Sequence, residues 1–331
     1  MQKVLPVIDI APLMFVDNKV SDAAIAVSKQ IREACMEHGF FYIRGHQVSA
    51  TLQDALEHFS QTFFALDEKE KMQIAMHKGG RAWRGYFPIG GELTSGKPDW
   101  KEGLYFGTEL PPQDERVQRN LPLHGQNLFP ERPAELKSVV LEYMHAVTQV
   151  GHAVMRGIAL SLDLAHDYFY RKYTSDPLIL FRIFHYPPQQ HADALWGVGE
   201  HTDYGLLTIL KQDMVGGLQV KSRKQWIDAP PLPGTFVCNI GDMLERITNG
   251  LYRSTPHRVI NQSGKSRFSY PLFFDPNFEA VIEPIKGLPP AKPADETRWD
   301  KEDIHLFHGT YGSYLLRKVS RVFPELQKQV L

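Results

Sequence analysis

Two cysteines among 331 residues, Cys35 and Cys238, are too few and too far apart for a disulfide framework or a thiolate metal site. Their apolar surroundings, EACMEHGF and FVCNIGD, fit a reducing compartment, so the cytoplasm is the expected location. No uninterrupted apolar run approaches the roughly 18 residues of a spanning helix, and the opening MQKVLPVIDIAPL has no basic stretch leading into a long apolar one. No membrane association is expected. Neither sign of charge dominates, since 37 Lys and Arg stand against 38 Asp and Glu. A chain without a net field has no global attraction to nucleic acid. Phosphate-loop and nucleophile-elbow patterns are also missing: Gly216-Gly217 lacks the strand-to-helix fingerprint with a Lys-Ser/Thr step and reads as a turn.

What is present is a hydrophobic content of 43%, enough for a substantial core. Without repeats or low-complexity linkers, one body over residues 1–331 is expected. It divides into an N-terminal helical region (1–175), a catalytic core (176–280) and a C-terminal lid and helix (281–331). Periodicity predicts helices over about Asp22–His38, with Ala23, Val27, Ile31 and Ala34 on one face, over Leu52–Phe64, and over Pro133–Leu162 as a brace against a sheet. Asp67 is expected to cap a charged segment. Leu5–Ile10 and Phe40–Ile43 read as strands, and Lys78–Pro98 as a loop or irregular strand at a functional rim. Beyond Pro177, the runs LILFRIFHY, LLTILKQ, GGLQV, TFVCNI, HRVI and RFSYPLFF alternate with Gly and Pro turns. That rhythm predicts a mainly β fold with flanking helices, a jelly roll or double-stranded β-helix.

The densest chemistry lies at Glu200-His201-Thr202-Asp203-Tyr204-Gly205. In an extended strand, His201 and Asp203 share one face and can approach one ion. His257, in Ser254-Thr255-Pro256-His257-Arg258-Val259, is a third ligand from another strand candidate. Two imidazoles and one carboxylate form the facial set of non-haem iron(II) oxygenases and leave positions open for O2 and an electron-donating acid. Zinc is the competing metal. Arg267-Phe268-Ser269 follows ten residues after His257, and a turn containing Gly264 is expected to bring it back as a neighbouring strand. Arg267 and Ser269 share a face, so guanidinium and hydroxyl can hold the far carboxylate of 2-oxoglutarate. The plain alternative is a surface Arg and an ordinary strand Ser.

These motifs, together with Asn239-Ile240-Gly241-Asp242, Pro6-Val7-Ile8-Asp9 and Gly39-Phe40-Phe41, closely resemble the isopenicillin N synthase-like group of iron(II), 2-oxoglutarate-dependent dioxygenases. A finer resemblance is to microbial ethylene/succinate-forming 2-oxoglutarate oxygenases. It rests on Thr94-Ser95-Gly96-Lys97-Pro98-Asp99, Phe181-Arg182-Ile183, Tyr186-Pro187-Pro188-Gln189, Pro276-Asn277-Phe278-Glu279-Ala280 and Arg321 before Val322-Phe323-Pro324. Ser269-Tyr270-Pro271-Leu272 departs from the alanine- and cysteine-containing stretch of those enzymes.

The resemblance implies Fe(II), with 2-oxoglutarate and O2 as co-substrates. Oxidative decarboxylation to succinate and CO2 would be coupled to hydroxylation or desaturation of a small organic acid or amino-acid-like substrate. Arg182 and Tyr186, on one side of a strand, would join Arg267 and Ser269 at the co-substrate, beside the alternatives of a structural salt bridge and a packed phenol. Arg84, Glu92 and Arg321 would bind substrate, with Trp83, Tyr86 and Phe87 at the rim. His185, facing away, suits a packing or supporting role, and Asp242 a turn that supports the metal ligands. The competing functions are an oxidase that uses no 2-oxoglutarate, an ethylene-forming oxygenase, and a metal-dependent binding protein without turnover. A monomer or weak homodimer suits the fold.

Overall fold

The computed structural model describes residues 4–14, 19–94, 96–188, 197–222, 225–289, 300 and 302–323. Ser95, Gln189 and Pro324, each within a motif quoted above, lie outside the described residues. The chain opens with β1 (Val7–Asp9) and α1 (Asp22–Glu37). The Ser21 hydroxyl accepts the Ala24 amide at 3.1 Å and caps α1. Its buried stripe is Ala24, Val27, Ile31 and Ala34; Ala23, expected on that face, is exposed. Next come β2 (Phe40–Arg44), α2 (Ala50–Phe64) and α3 (Glu68–Lys71). Asp67 stands at the start of α3, but its side chain makes no capping bond; its carbonyl receives the Glu70 and Lys71 amides instead.

The Gly-rich rim supplies the edge strand β3 (Gly85–Phe87) and a hairpin, β4 (Leu93–Thr94) with β5 (Lys97–Pro98). The unpredicted β6 (Glu102–Gly107) and the short α4 (Glu115–Gln118) lead to α5 (Glu135–Ser161). The core strands are β7 (Leu178–Tyr186), β8 (Val198–His201), β9 (Leu207–Gln212), β10 (Leu218–Ser222), β11 (Gln225–Asp228) and β12 (Phe236–Ile240). They are completed by α6 (Asp242–Ile247), β13 (His257–Val259), β14 (Arg267–Asp275) and α7 (Tyr311–Val322). No helix among the described residues is long and apolar enough to cross a membrane.

Two sheets result. The larger has the order β1-β2-β12-β9-β14-β7-β6-β3 and the smaller β11-β10-β13-β8. Together they form a double-stranded β-helix with helices on the outside, the mainly β architecture expected from the alternating runs. The expected pairing of the His257 strand with the Arg267 strand does not occur: β13 pairs with β8 and β10, whereas β14 pairs with β7 and β9. The turn through Gly264 therefore carries the chain from one sheet to the other, which places His257 and Arg267 on separate walls.

On the inner face of the large sheet, residues paired across strands make continuous rows. Tyr186 lies opposite Arg267, Phe184 opposite both Gly103 and Ser269, and Arg182 opposite Tyr105. Because side chains alternate along a strand, these positions share one face of the sheet, and Arg182, Phe184, Tyr186 and Ser269 line one cavity. The brace α5 lies on the other side of the large sheet, with Gly151 against Phe274 of β14; a Cβ at Gly151 would come within 2.4 Å of the Phe274 ring. Gly151→Ala is expected to destabilise the protein by about 1–3 kcal/mol through overpacking, read as a lower midpoint in urea or thermal unfolding.

Candidate metal centre

His201 ends β8 and lies directly opposite His257 of β13, with an irregular register immediately beyond. Such irregularities re-aim side chains next to active sites. The two rings sit 4.2 Å apart, centroid to centroid. The His201 Nδ1 lies 2.8 Å from the Gly199 carbonyl and the His257 Nδ1 3.3 Å from the Thr255 carbonyl. Each ring can thus donate its Nδ1 proton to the backbone, which leaves the Nε2 lone pair for a metal. Burial lowers the pKa of both imidazoles, that of His257 to about 4 with further help from His201, so both are held as neutral ligands.

Asp203 is not on the strand, contrary to the two-residue argument; β8 has already ended and Asp203 stands in the following loop. Its position comes from other bonds. The Asp203 carbonyl accepts the Asp242 amide at 2.8 Å. Carboxylate Oδ2 accepts from Thr208 Oγ1 at 2.5 Å and Asn239 Nδ2 at 2.7 Å, which turns Oδ1 toward His201 Nε2 at 3.9 Å and His257 Nε2 at 3.8 Å. Burial alone would raise this carboxyl's pKa, but the two imidazoles and the two hydrogen bonds hold it below the usual range. The three donor atoms lie within 4.8 Å of one another, close enough for one shared ion to draw them together. His201, Asp203 and His257 are the one such cluster of potential ligands among the described residues.

The triad opens into a cavity of about 270 Å³ between the sheets, closed by α7. Arg267, fully buried, donates from Nε to the Gly216 carbonyl and stacks over the Tyr186 ring at 4.6 Å, while Nη1 and Nη2 have no partner. Buried donors are almost always satisfied, so two idle guanidinium nitrogens are a site waiting for an anion. Ser269 and Tyr186, whose hydroxyls lie 3.5 Å apart, line the cavity beside it. The residues present therefore fit an acid chelated to the metal with its far carboxylate at Arg267.

Arg182, Glu92 and Arg321 also line the cavity. Arg182 is held by Glu92 at 3.1 Å and stacks over Tyr105 at 4.0 Å; Arg321, on the exposed rim, pairs with Glu302. Arg84 must be corrected: it is not brought to the cavity. Its buried guanidinium donates to the carbonyls of Thr108, Leu123 and Gly125, a structural clasp that burial brings down to a pKa of about 10. Trp83, Tyr86 and Phe87 are likewise buried and none lines the cavity, although Trp83 and Phe87 pack behind Phe323, which does. His185 bonds Glu102 and Ser266 and stacks on Phe268, as its outward facing requires. The side chain of Asp242 reaches Tyr314 of α7 at 2.7 Å rather than the local backbone. Missing from the sequence reading were the roles of Thr208 and Asn239, although both fall inside quoted motifs, of Lys101 on the cavity wall, and of Asp99 buried behind it.

Comparison with known proteins agrees with this geometry. Residues 5–132 match the non-haem dioxygenase N-terminal model described from morphine synthesis, and residues 177–276 match the 2OG-Fe(II) oxygenase superfamily. A probable iron/ascorbate oxidoreductase of Dictyostelium discoideum is 52% identical, over 92% of this chain and 91% of its own. A homoarginine-6-hydroxylase of Glycine max is 39% identical, over 97% and 98%. A full-length Neurospora crassa protein, solved as a crystal structure in complex with alpha-KG (2-oxoglutarate), superposes with a TM-score of 0.78 at 27% identity, over 96% of each chain. The fold and triad define a non-haem iron enzyme. The chain belongs to the 2OG-Fe(II) oxygenase superfamily, and the protein is an Fe(II)/2-oxoglutarate-dependent dioxygenase. Asn239→Ala, which removes one of the two donors to Asp203 Oδ2, is expected to weaken Fe(II) binding by about 10–100-fold in anaerobic titrations of the metal-free protein.

Proposed function

We propose that this dioxygenase hydroxylates or desaturates a small organic acid or amino-acid-like substrate, as one oxygenase body working as a cytoplasmic monomer or weak homodimer. The observation that carries the co-substrate half of the reading is the buried Arg267 with two idle nitrogens, one sheet away from the metal ligands. The substrate half is supported by the remaining lining, where apolar Leu180, Phe273 and Val319 meet the charged Arg182 and Arg321. Such a mix suits a small molecule with an acid group at one end. The Glycine max relative, whose name gives an amino-acid substrate, favours the same class.

When bound, Fe(II) with 2-oxoglutarate and O2 supplies the oxidant that removes hydrogen from an unactivated carbon, with release of succinate and CO2. The chain supplies placement. His201, Asp203 and His257 would hold the ion at the cavity wall. Arg267 and Ser269 receive the far carboxylate of the co-substrate, and the Tyr186 ring covers the guanidinium. Arg182, fixed by Glu92 and the Tyr105 ring, presents a rigid cationic face to whatever lies between it and the metal. Phe323, against Tyr105 and Phe87, adds an apolar wall to the cavity beside the end of α7.

Ethylene formation is the second reading, favoured by the match at Thr94 and Asp99, whose side chains bond each other at 2.6 Å beside the cavity. The test begins with anaerobic Fe(II) protein titrated with 2-oxoglutarate, where a weak visible charge-transfer band is expected. Arg267→Leu should raise the Kd for 2-oxoglutarate by at least about 30-fold, since it strands a buried carboxylate. An unchanged Kd would remove Arg267 from the site. Admission of O2 with a panel of amino and organic acids should stimulate succinate release and give a hydroxylated or unsaturated product. Ethylene in the headspace would instead select the second reading, and no stimulation by any acid would sink the substrate class.

A further inference from the structure

One wall of the cavity carries an ionic network that neither the triad nor the co-substrate site uses. Lys101, 2% exposed, places Nζ 2.8 Å from Glu92 Oε2 and 2.5 Å from Asp99 Oδ2, with the Phe184 ring 4.9 Å away. Glu92 Oε1 accepts from Tyr105 at 2.9 Å and from Arg182 at 3.1 Å. Asp99 Oδ2 also accepts from Thr94. Two carboxylates thus face two cations, and the group is neutral as it stands. Burial would favour the uncharged amine, but Glu92 and Asp99 outweigh it and keep Lys101 protonated, above the ordinary lysine range.

This arrangement changes what Glu92 can do. A buried carboxylate pair at a cavity wall is a strong receptor for a substrate cation only while its charge is uncompensated. Here the chain's own ammonium already sits between the two acids. An incoming guanidinium or ammonium would have to displace Lys101 or share its partners, leaving an excess buried positive charge in either case. A neutral group, such as an amide, urea or alkyl end, meets no such penalty.

We propose that Lys101 is a specificity-determining residue: its ammonium occupies the Glu92–Asp99 pair in place of a substrate cation, so the cavity selects substrates whose distal end is neutral. The inference rests on the substrate class proposed above only for the acid end of the ligand; the distal end is set by Lys101 itself. It predicts that homoarginine, which ends in a guanidinium, is a poor substrate, although four homoarginine-6-hydroxylases are among the relatives of this chain.

The test has two arms. In the first, the metal-free full-length protein is titrated calorimetrically with methylguanidinium, which carries the cation and no acid group. The native protein should show no saturable binding, whereas Lys101→Met and Lys101→Ala, which leave the two acids short of a cation, should bind it. In the second, succinate release by the Fe(II)- and 2-oxoglutarate-loaded native enzyme is compared for homoarginine and homocitrulline, which differ in guanidinium against urea. The native enzyme should favour homocitrulline by roughly tenfold or more in kcat/KM, and the Lys101→Met preference should fall or reverse.

Saturable methylguanidinium binding by the native protein, equal or better use of homoarginine, or folded variants that gain no cation affinity would each overturn the proposal. If neither amino acid stimulates turnover, the amino-acid class fails while the methylguanidinium arm still decides the role of Lys101. If both variants unfold, methylguanidinium binding to the native protein decides it.

Discussion

The Asp203 carboxylate touches both sheets at once, and the site depends on that tie. Oδ1 faces the imidazoles of β8 and β13 on the small sheet, while Oδ2 is held by Thr208 of β9 and Asn239 of β12 on the large one. Two walls of a β-helix are joined mainly by apolar packing, which sets their separation only loosely. A carboxylate with each oxygen assigned to a different wall fixes the distance at which three donors can share an ion. It also fixes the orientation, because one oxygen is occupied by Asn239 and Thr208 and the other is left for the metal. The loop after β8 can carry this residue because its backbone is anchored as well, through the Asp242 amide at the start of α6.

A similar matching of partners governs charge in the rest of the cavity. Lys101 and Arg182 are matched by Glu92 and Asp99; Lys318 and Arg321 of α7 are matched by Asp300 and Glu302. Placing so many ions beside a cavity is tolerable only if each finds an opposite within the wall, since an uncompensated buried charge costs several kcal/mol. Against that background Arg267 stands apart. Its two idle nitrogens lack the acceptor that a dianionic co-substrate, one end at the metal and the other at the guanidinium, would supply. Asp213 also acts on Arg267 electrostatically, but its carboxylate is taken up by the Phe268 and Val215 amides, so the terminal guanidinium nitrogens keep no hydrogen-bond partner.

Much of this was legible in the chain. The alternating runs after Pro177 became the strands of the two sheets, because period-two alternation reports a half-buried strand whatever its neighbours. His201, Asp203 and His257 were readable as ligands from residue type and spacing, although the reason given for Asp203 was wrong: bonds from β9, β12 and α6 position it, and of these only Thr208 is near it in sequence. Strand partners were also out of reach, which is why β13 and β14 were expected side by side. Arg84 failed for a related reason. A charged residue in a Gly-rich aromatic stretch looks like an anchor, and only the fold reveals three carbonyls from Thr108 to Gly125 converging on it. Lys101 was overlooked because its partners become meaningful only when the β4–β5 hairpin folds Glu92 and Asp99 around it.

The register of the large sheet connects the two ends of the cavity. Lys101 immediately precedes β6, whose first residue Glu102 pairs with His185, so Lys101 falls beside Tyr186, and Tyr186 in turn lies opposite Arg267. The three form a single row: the cation that fills the Glu92–Asp99 pair, the phenol that covers the guanidinium, and the guanidinium itself. The next row contains Phe184, beneath the Lys101 ammonium, opposite Ser269 at the co-substrate end. Neighbouring rows are separated by only two residues of strand, roughly 7 Å, and no flexible loop intervenes. On the reading proposed above, the position of the co-substrate and the charge seen by the substrate would be set by adjacent side chains on one rigid surface, the inner face of β6, β7 and β14.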